Sequence, residues 1–181
     1  MQTAIVTLLV LLGTLTLSVV AGAVYQVIET RRDRRRFPPP GQLVRFNERR
    51  MHIHVTGEGT PTVVFESGMG ASCLSWTLVQ PQVAQFSRAV SYDRAGHGWS
   101  DPAPEPRTAR HIAQELNTLL NATGLPGPYV LVGHSFGGYV NRVFAHLYRD
   151  RVAGMVLVDS VHPAEWKVFG RARELTRELF V

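Results

Sequence analysis

At 181 residues, 45% hydrophobic and 18% charged, with 16 Gly and 11 Pro, the chain has ordinary globular composition, which excludes disorder, a collagen-like repeat and a disulfide scaffold. Its net charge of +5 is local: Arg31, Arg32, Arg34, Arg35 and Arg36 against Glu29 and Asp33 account for +3, and the stretch from Phe37 onward, with 14 basic and 12 acidic residues, for only +2, so no nucleic-acid-binding face is implied. The single cysteine, Cys73, leaves no internal disulfide and no multi-cysteine metal cluster.

Residues 4–28 (AIVTLLVLLGTLTLSVVAGAVYQVI) carry no ionisable side chain apart from Tyr25, and their 25 positions exceed the roughly 20 that cross about 30 Å of hydrocarbon. They read as a transmembrane helix, so residues 1–28 form an anchor. A cleaved secretory signal is the alternative, because Ala21-Gly22-Ala23 offers small residues at the right spacing. Against it, no Lys or Arg precedes the apolar run, which is longer than the roughly 7–15 residues usual in a signal. A buried core helix is a third reading. Arg31-Arg32-Asp33-Arg34-Arg35-Arg36 follows at once. Arginine resists translocation and is drawn to anionic headgroups, so the flank is expected to stay cytoplasmic together with the rest of the chain; signal cleavage would instead give a secreted protein. Pro38-Pro39-Pro40-Gly41 is a stiff spacer, which makes residues 29–41 a basic, proline-rich linker and residues 42–181 the folding domain.

Residues 43–47 and 51–56 alternate apolar and polar side chains across Glu48-Arg49-Arg50, which predicts a hairpin at a sheet edge. Residues 62–66 (TVVFE), 89–92 (AVSY), 129–133 (YVLVG) and 155–159 (MVLVD) are short continuous apolar runs, as expected of strands buried on both faces. Helical periodicity lies between them. Residues 107–123 place Ile112, Leu116, Leu119 and Leu120 on one stripe with Gly124 as a stop, and residues 136–149 place Tyr139, Val140, Val143, Phe144 and Leu147 on another. A hairpin followed by alternating strands and helices predicts an α/β fold with a doubly wound, mostly parallel sheet.

The chemically informative run is Gly133-His134-Ser135-Phe136-Gly137, a G-x-S-x-G pentapeptide. Alone it is common. Here it joins a predicted strand directly to a predicted helix, the setting in which a sharp turn projects the serine hydroxyl above the sheet and needs glycine on either side. Phe136 then offers a backbone N–H at the first turn of a helix, where the macrodipole favours negative charge.

With that motif the chain resembles the α/β-hydrolase superfamily, and two more segments carry the resemblance: Glu66-Ser67-Gly68-Met69-Gly70 after the third strand, and Asp93-Arg94-Ala95-Gly96-His97-Gly98-Trp99-Ser100 after the fourth, similar to the family's D-x-x-G-x-G-x-S turn. The resemblance spans residues 43 to 163 and is nearest to the esterase, aminopeptidase and epoxide-hydrolase branch. It implies a nucleophile at Ser135, an oxyanion hole from the Met69 and Phe136 amides, and an acid at Asp159 at the carboxyl end of a neighbouring strand. The alternative for Asp159 is a loop brace. Serine rather than aspartate at position 135 points to acyl chemistry instead of epoxide or haloalkane cleavage.

The base is harder to assign. The family order is Ser, acid, His, yet His146 falls inside the helix after Ser135, and His162 is three residues from Asp159, too close to stand on the other side of the nucleophile from it. His97 and His134 read as scaffold of their turns, and Cys73 as a packed small residue. Residues 165–181 read as a helical piece of a lid, after which the family's last strands and catalytic His are not met, so the sequence is expected to be the front portion of a longer hydrolase. The expected function is hydrolysis of a small-molecule carboxylic ester or amide through an acyl-enzyme on Ser135, with no cofactor or metal. A non-catalytic, membrane-anchored binding or scaffold protein with a hydrolase-like pocket is the alternative.

Overall fold

The computed structural model describes residues 2–46, 49–104 and 106–162 and divides the chain into two compact units, up to Pro38 and from Pro39 on. The first is a single helix, α1 (Gln2–Arg36), long and apolar enough to cross a membrane. Four of its hydroxyls are satisfied within the helix: Thr7, Thr14, Thr16 and Ser18 donate to the carbonyls of Thr3, Leu11, Leu12 and Thr14, as an apolar surrounding would require. The helix also runs through the basic stretch that the sequence reading gave to the linker. Arginine is a good helix former, and three arginines in the last turn complement the negative helix end. The Phe37 amide still bonds the Asp33 carbonyl at 2.8 Å, and Pro38 prevents continuation.

The second unit is a six-stranded mixed sheet in the order β1-β2-β4-β3-β5-β6. The expected hairpin is present: β1 (Gln42–Phe46) and β2 (Arg49–Thr56) pair antiparallel from Gln42↔Ile53 to Phe46↔Arg49, and β2 pairs antiparallel with β4 (Ala89–Tyr92). From there the sheet is parallel: β4 to β3 (Thr62–Glu66), β3 to β5 (Tyr129–His134), β5 to β6 (Val152–Val158).

The continuous apolar strands follow from cover on both faces. On one side Val64, Val90, Tyr129 and Leu131 pack with Ile112, Leu116, Leu119 and Leu120 of α3 (Ala109–Ala122) and with Val140 and Phe144 of α4 (Phe136–Leu147). The alternate residues Val63, Phe65, Val130 and Val132 face Trp76 and Val83. Those two come from a 3₁₀ turn (Cys73–Trp76) and a one-turn helix, α2 (Gln80–Val83), neither of which hydrophobic periodicity announces. α3 begins where Thr108 caps it, its hydroxyl accepting from the His111 amide, and ends at Gly124, whose φ of 65° is costly for other residues.

β6 departs from expectation in two ways. It starts three residues early, and among the described residues it is the outermost strand, so Val156 is 49% and Val158 42% exposed rather than buried on both faces. Asp159 lies just beyond the strand with φ 44°. The expected lid helix at 165–181 falls outside the described residues.

Candidate active site

Ser135 sits between the last residue of β5 and the first of α4 with φ 50° and ψ −120°, a conformation that costs a non-glycine residue about 1–3 kcal/mol. Its neighbours explain how the turn is held. A Cβ on Gly133 would lie 2.6 Å from the Gly138 backbone and the Asn141 amide, one on Gly137 2.3 Å from the Glu66 carbonyl oxygen, and one on Gly138 2.1 Å from Ser160 Oγ. Main chain blocks a Cβ at Gly133 and Gly137, whereas at Gly138 the Ser160 side chain would have to move. The Ser135 amide donates to the Val158 carbonyl (3.1 Å), and the Gly138 amide donates to the Ser135 carbonyl (3.1 Å). Although Ser135 occupies the N-cap of α4, its hydroxyl makes no capping bond, nor a hydrogen bond to any other described residue. It borders a cleft of about 430 Å³ lined by Gly68, Met69, Trp76, His134 and Val158.

The loop opposite Ser135 is the one that the sequence reading selected after β3. A Cβ on Gly68 would lie 3.6 Å from Ser135 Cβ, so the two backbones are neighbours. The Met69 amide donates to no acceptor among the described residues. Behind the loop is a buried polar network. Arg94, 4% exposed, donates from Nη1 to Glu66 Oε1 (2.8 Å) and to the Ser67 carbonyl (2.7 Å), and from Nη2 to the Gly68 carbonyl. The Tyr92 hydroxyl donates to Glu66 Oε2, and the Trp76 indole N–H donates to Ser67 Oγ at 3.0 Å. Burial pushes the Glu66 carboxyl above its ordinary value, opposed by the Arg94 charge and the Tyr92 hydroxyl.

The turn after β4 is braced by Asp93, which accepts from the Cys73 amide (2.7 Å) and the Trp99 amide (3.1 Å) and lies 2.9 Å from His52 Nδ1. Burial alone would raise the Asp93 carboxyl, but His52 and the two amides outweigh it and hold the group below its ordinary range. His52, Cys73 and Asp93 put potential ligand atoms within 4.8 Å of one another. The donor set does not fit a metal: Asp93 is committed to the turn, and burial beside Asp93 pushes the Cys73 thiol up to about 12, far from the thiolate that a metal needs. Cys73 is a packed residue, buried between His52 and Asp93.

Comparison with known proteins settles the lineage. The family model for the alpha/beta hydrolase fold matches residues 61–181. The chain belongs to the α/β-hydrolase family. It is 31% identical over 144 residues to a haloalkane dehalogenase of Sphingobium indicum, a match covering 77% of this chain and 47% of the dehalogenase. Among solved structures it is similar to a thermophilic esterase from Thermogutta terrifontis (TM-score 0.61, 29% identity, 76% of this chain and 54% of the esterase) and to the epoxide hydrolase CorEH (TM-score 0.62, 28% identity, 66% and 42%). The chain thus spans about half the length of these three proteins.

In this member of the family the remaining candidates divide by place. Asp159 follows Val158 directly, at the same end of the sheet as Ser135, and its side chain is exposed. His134 borders the cleft from the end of β5. His146 is exposed on α4 and borders a different cavity, with Ala145, Arg149 and Val152. His97 makes only a local contact with the Ala95 carbonyl, and His162 is exposed. No described histidine hydrogen-bonds Ser135. Arg94 and Glu66 appear in the sequence motifs, but their pairing escaped the sequence reading; the one available signal was an acidic residue ending one apolar strand and a basic residue two positions past another.

Proposed function

We propose that the chain carries the nucleophile and oxyanion half of a serine hydrolase acting on a small-molecule carboxylic ester or amide. Ser135 Oγ attacks the acyl carbon, the Met69 and Phe136 amides receive the oxyanion, and the ester or amide bond breaks as the alcohol or amine leaves with a proton. Water then releases the acid from Ser135. The carrying observation is the strained Ser135 backbone at a strand-to-helix turn over an open cleft. A turn this costly is retained where its geometry is used. The apolar walls contributed by Met69, Trp76 and Val158 suit an apolar acyl group. Serine at position 135 supports acyl chemistry, in keeping with a similar protein described as an esterase, and Asp159 is the proposed acid of the relay. No cofactor enters this mechanism. The helix α1 serves as a single-pass membrane anchor with the catalytic unit on the cytoplasmic side of its arginine flank.

A fluorophosphonate probe tests the nucleophile: covalent labelling of the wild-type chain that disappears in Ser135→Ala is the expected result, and labelling that persists at another residue overturns it. Turnover of p-nitrophenyl esters of increasing chain length reads the acyl preference. One observation favours a second reading, a membrane-anchored binding protein with a hydrolase-like pocket: no described histidine touches Ser135 Oγ. Ligand binding without labelling or turnover would select it.

A further inference from the structure

The loop that carries Met69 is held from within at two points, the Ala71 amide donating to the Gly68 carbonyl (3.2 Å) and the Ser67 hydroxyl to the Ser72 carbonyl (2.8 Å). Gly68 and Gly70 flank Met69, and Gly70 sits at φ 70°, so side-chain sterics restrain the Gly68–Met69 peptide little and its orientation depends on the bonds to the Gly68 carbonyl. In a trans peptide the C=O and the following N–H point in opposite directions. Whatever binds the Gly68 carbonyl therefore decides where the Met69 N–H faces. The Ala71 amide binds it from within the loop and Arg94 from the buried side, and only the guanidinium ties it to the preceding Ser67 carbonyl and the Glu66 carboxylate. Arg94 also lies 5.5 Å over the ring of Phe136, the residue whose amide is the second proposed donor.

We propose that Arg94 is a positioning residue of the oxyanion site: by holding the Ser67 and Gly68 carbonyls on the buried side of the loop, it turns the Met69 N–H toward the Ser135 cleft. The inference rests on the reading of Ser135 as nucleophile. A planar fork with five donors serves two carbonyls and a carboxylate at once, which an ammonium of the same charge does not. Without that hold a flipped peptide would point the Gly68 carbonyl at the developing oxyanion and replace attraction with repulsion.

The chain has four methionines, Met1, Met51, Met69 and Met155, so selective nitrogen-15 labelling of methionine in the full chain in detergent micelles gives a spectrum in which the Met69 amide is readily assigned. In Arg94→Lys the Met69 resonance is expected to shift while Met51 and Met155 stay in place, and fluorophosphonate labelling of Ser135 should slow about 100-fold, the scale of losing one oxyanion donor. Arg151→Gln, which removes bonds to Asn117 and Tyr129 far from the loop in sequence, serves as the destabilised control and should leave the Met69 resonance unmoved. If Arg94→Lys does not fold, the double variant Arg94→Gln with Glu66→Gln, which buries no charge, replaces it under the same expectation. A Met69 resonance unchanged in the folded variant overturns the proposal, as does an equal slowing of labelling in Arg151→Gln. Labelling that survives Ser135→Ala overturns the nucleophile reading instead, and the Met69 resonance still reports on Arg94.

Discussion

The turn at Ser135 exists because two glycines, Gly133 and Gly137, let backbone approach backbone where a side chain would collide, and a third, Gly138, leaves room for the Ser160 side chain. Gly137 is the tightest against main chain, a Cβ there falling 2.3 Å from the Glu66 carbonyl oxygen and 2.6 Å from that of Ser67. Neither oxygen is free to swing aside: that of Glu66 ends β3, and that of Ser67 is bound by Arg94. Gly137→Ala is therefore expected to push β3 and its loop away from the elbow, costing about 1–3 kcal/mol of stability and most of the Ser135 labelling. Thermal denaturation and probe kinetics on the same preparation check both. Retained labelling with unchanged stability would mean that the loop and the turn are not in contact.

At the scale of elements, the segment after β4 is fixed by one carboxylate. Asp93 joins the Cys73 turn, the Trp99 amide and His52 of β2, so it ties three pieces of chain that share no hydrophobic stripe. Removing its charge in Asp93→Asn should cost about 3 kcal/mol, the scale of breaking a buried pair from one side. The pH dependence follows from its lowered value. A carboxyl titrating below its unfolded value of about 3.9 adds stability above that pH and loses it as pH falls through the folded value. The gap in unfolding midpoint between wild type and Asp93→Asn should thus be full at neutral pH and shrink below about pH 4. A gap that stays constant into acid would show that Asp93 contributes by shape alone. Strands β3, β4 and β5 were readable from sequence because cover on both faces leaves an unbroken apolar run. The Cys73 turn and α2 were not, since four-residue elements have too few positions to show a period. The Arg94–Glu66 pair was equally hidden: it joins residues 28 apart that only the parallel pairing of β3 with β4 brings together.

Over the whole molecule, what the sequence disclosed was the order of things. One long apolar helix, then a hairpin, then alternating strands and helices are all present, because each is set by composition or by a period that survives tertiary context. What depends on neighbours is less legible: β6 reads as doubly buried and is the outermost strand among the described residues, and the helix continues through the arginines after residue 28. The anchor reading of α1 makes the last prediction. Leu15 lies near the middle of the apolar stretch, so Leu15→Arg should cost about 3 kcal/mol of insertion free energy, whereas Thr30→Arg, beside the existing arginine flank, should cost almost nothing. After alkaline carbonate extraction the wild type and Thr30→Arg are expected in the membrane pellet, with Leu15→Arg largely released. The mass of the extracted wild type separates the anchor from a cleaved signal: retention of residues 1–23 supports an anchor, and a chain beginning after Ala23 assigns the helix to export and leaves the remaining arginine flank without a membrane-spanning segment beside it.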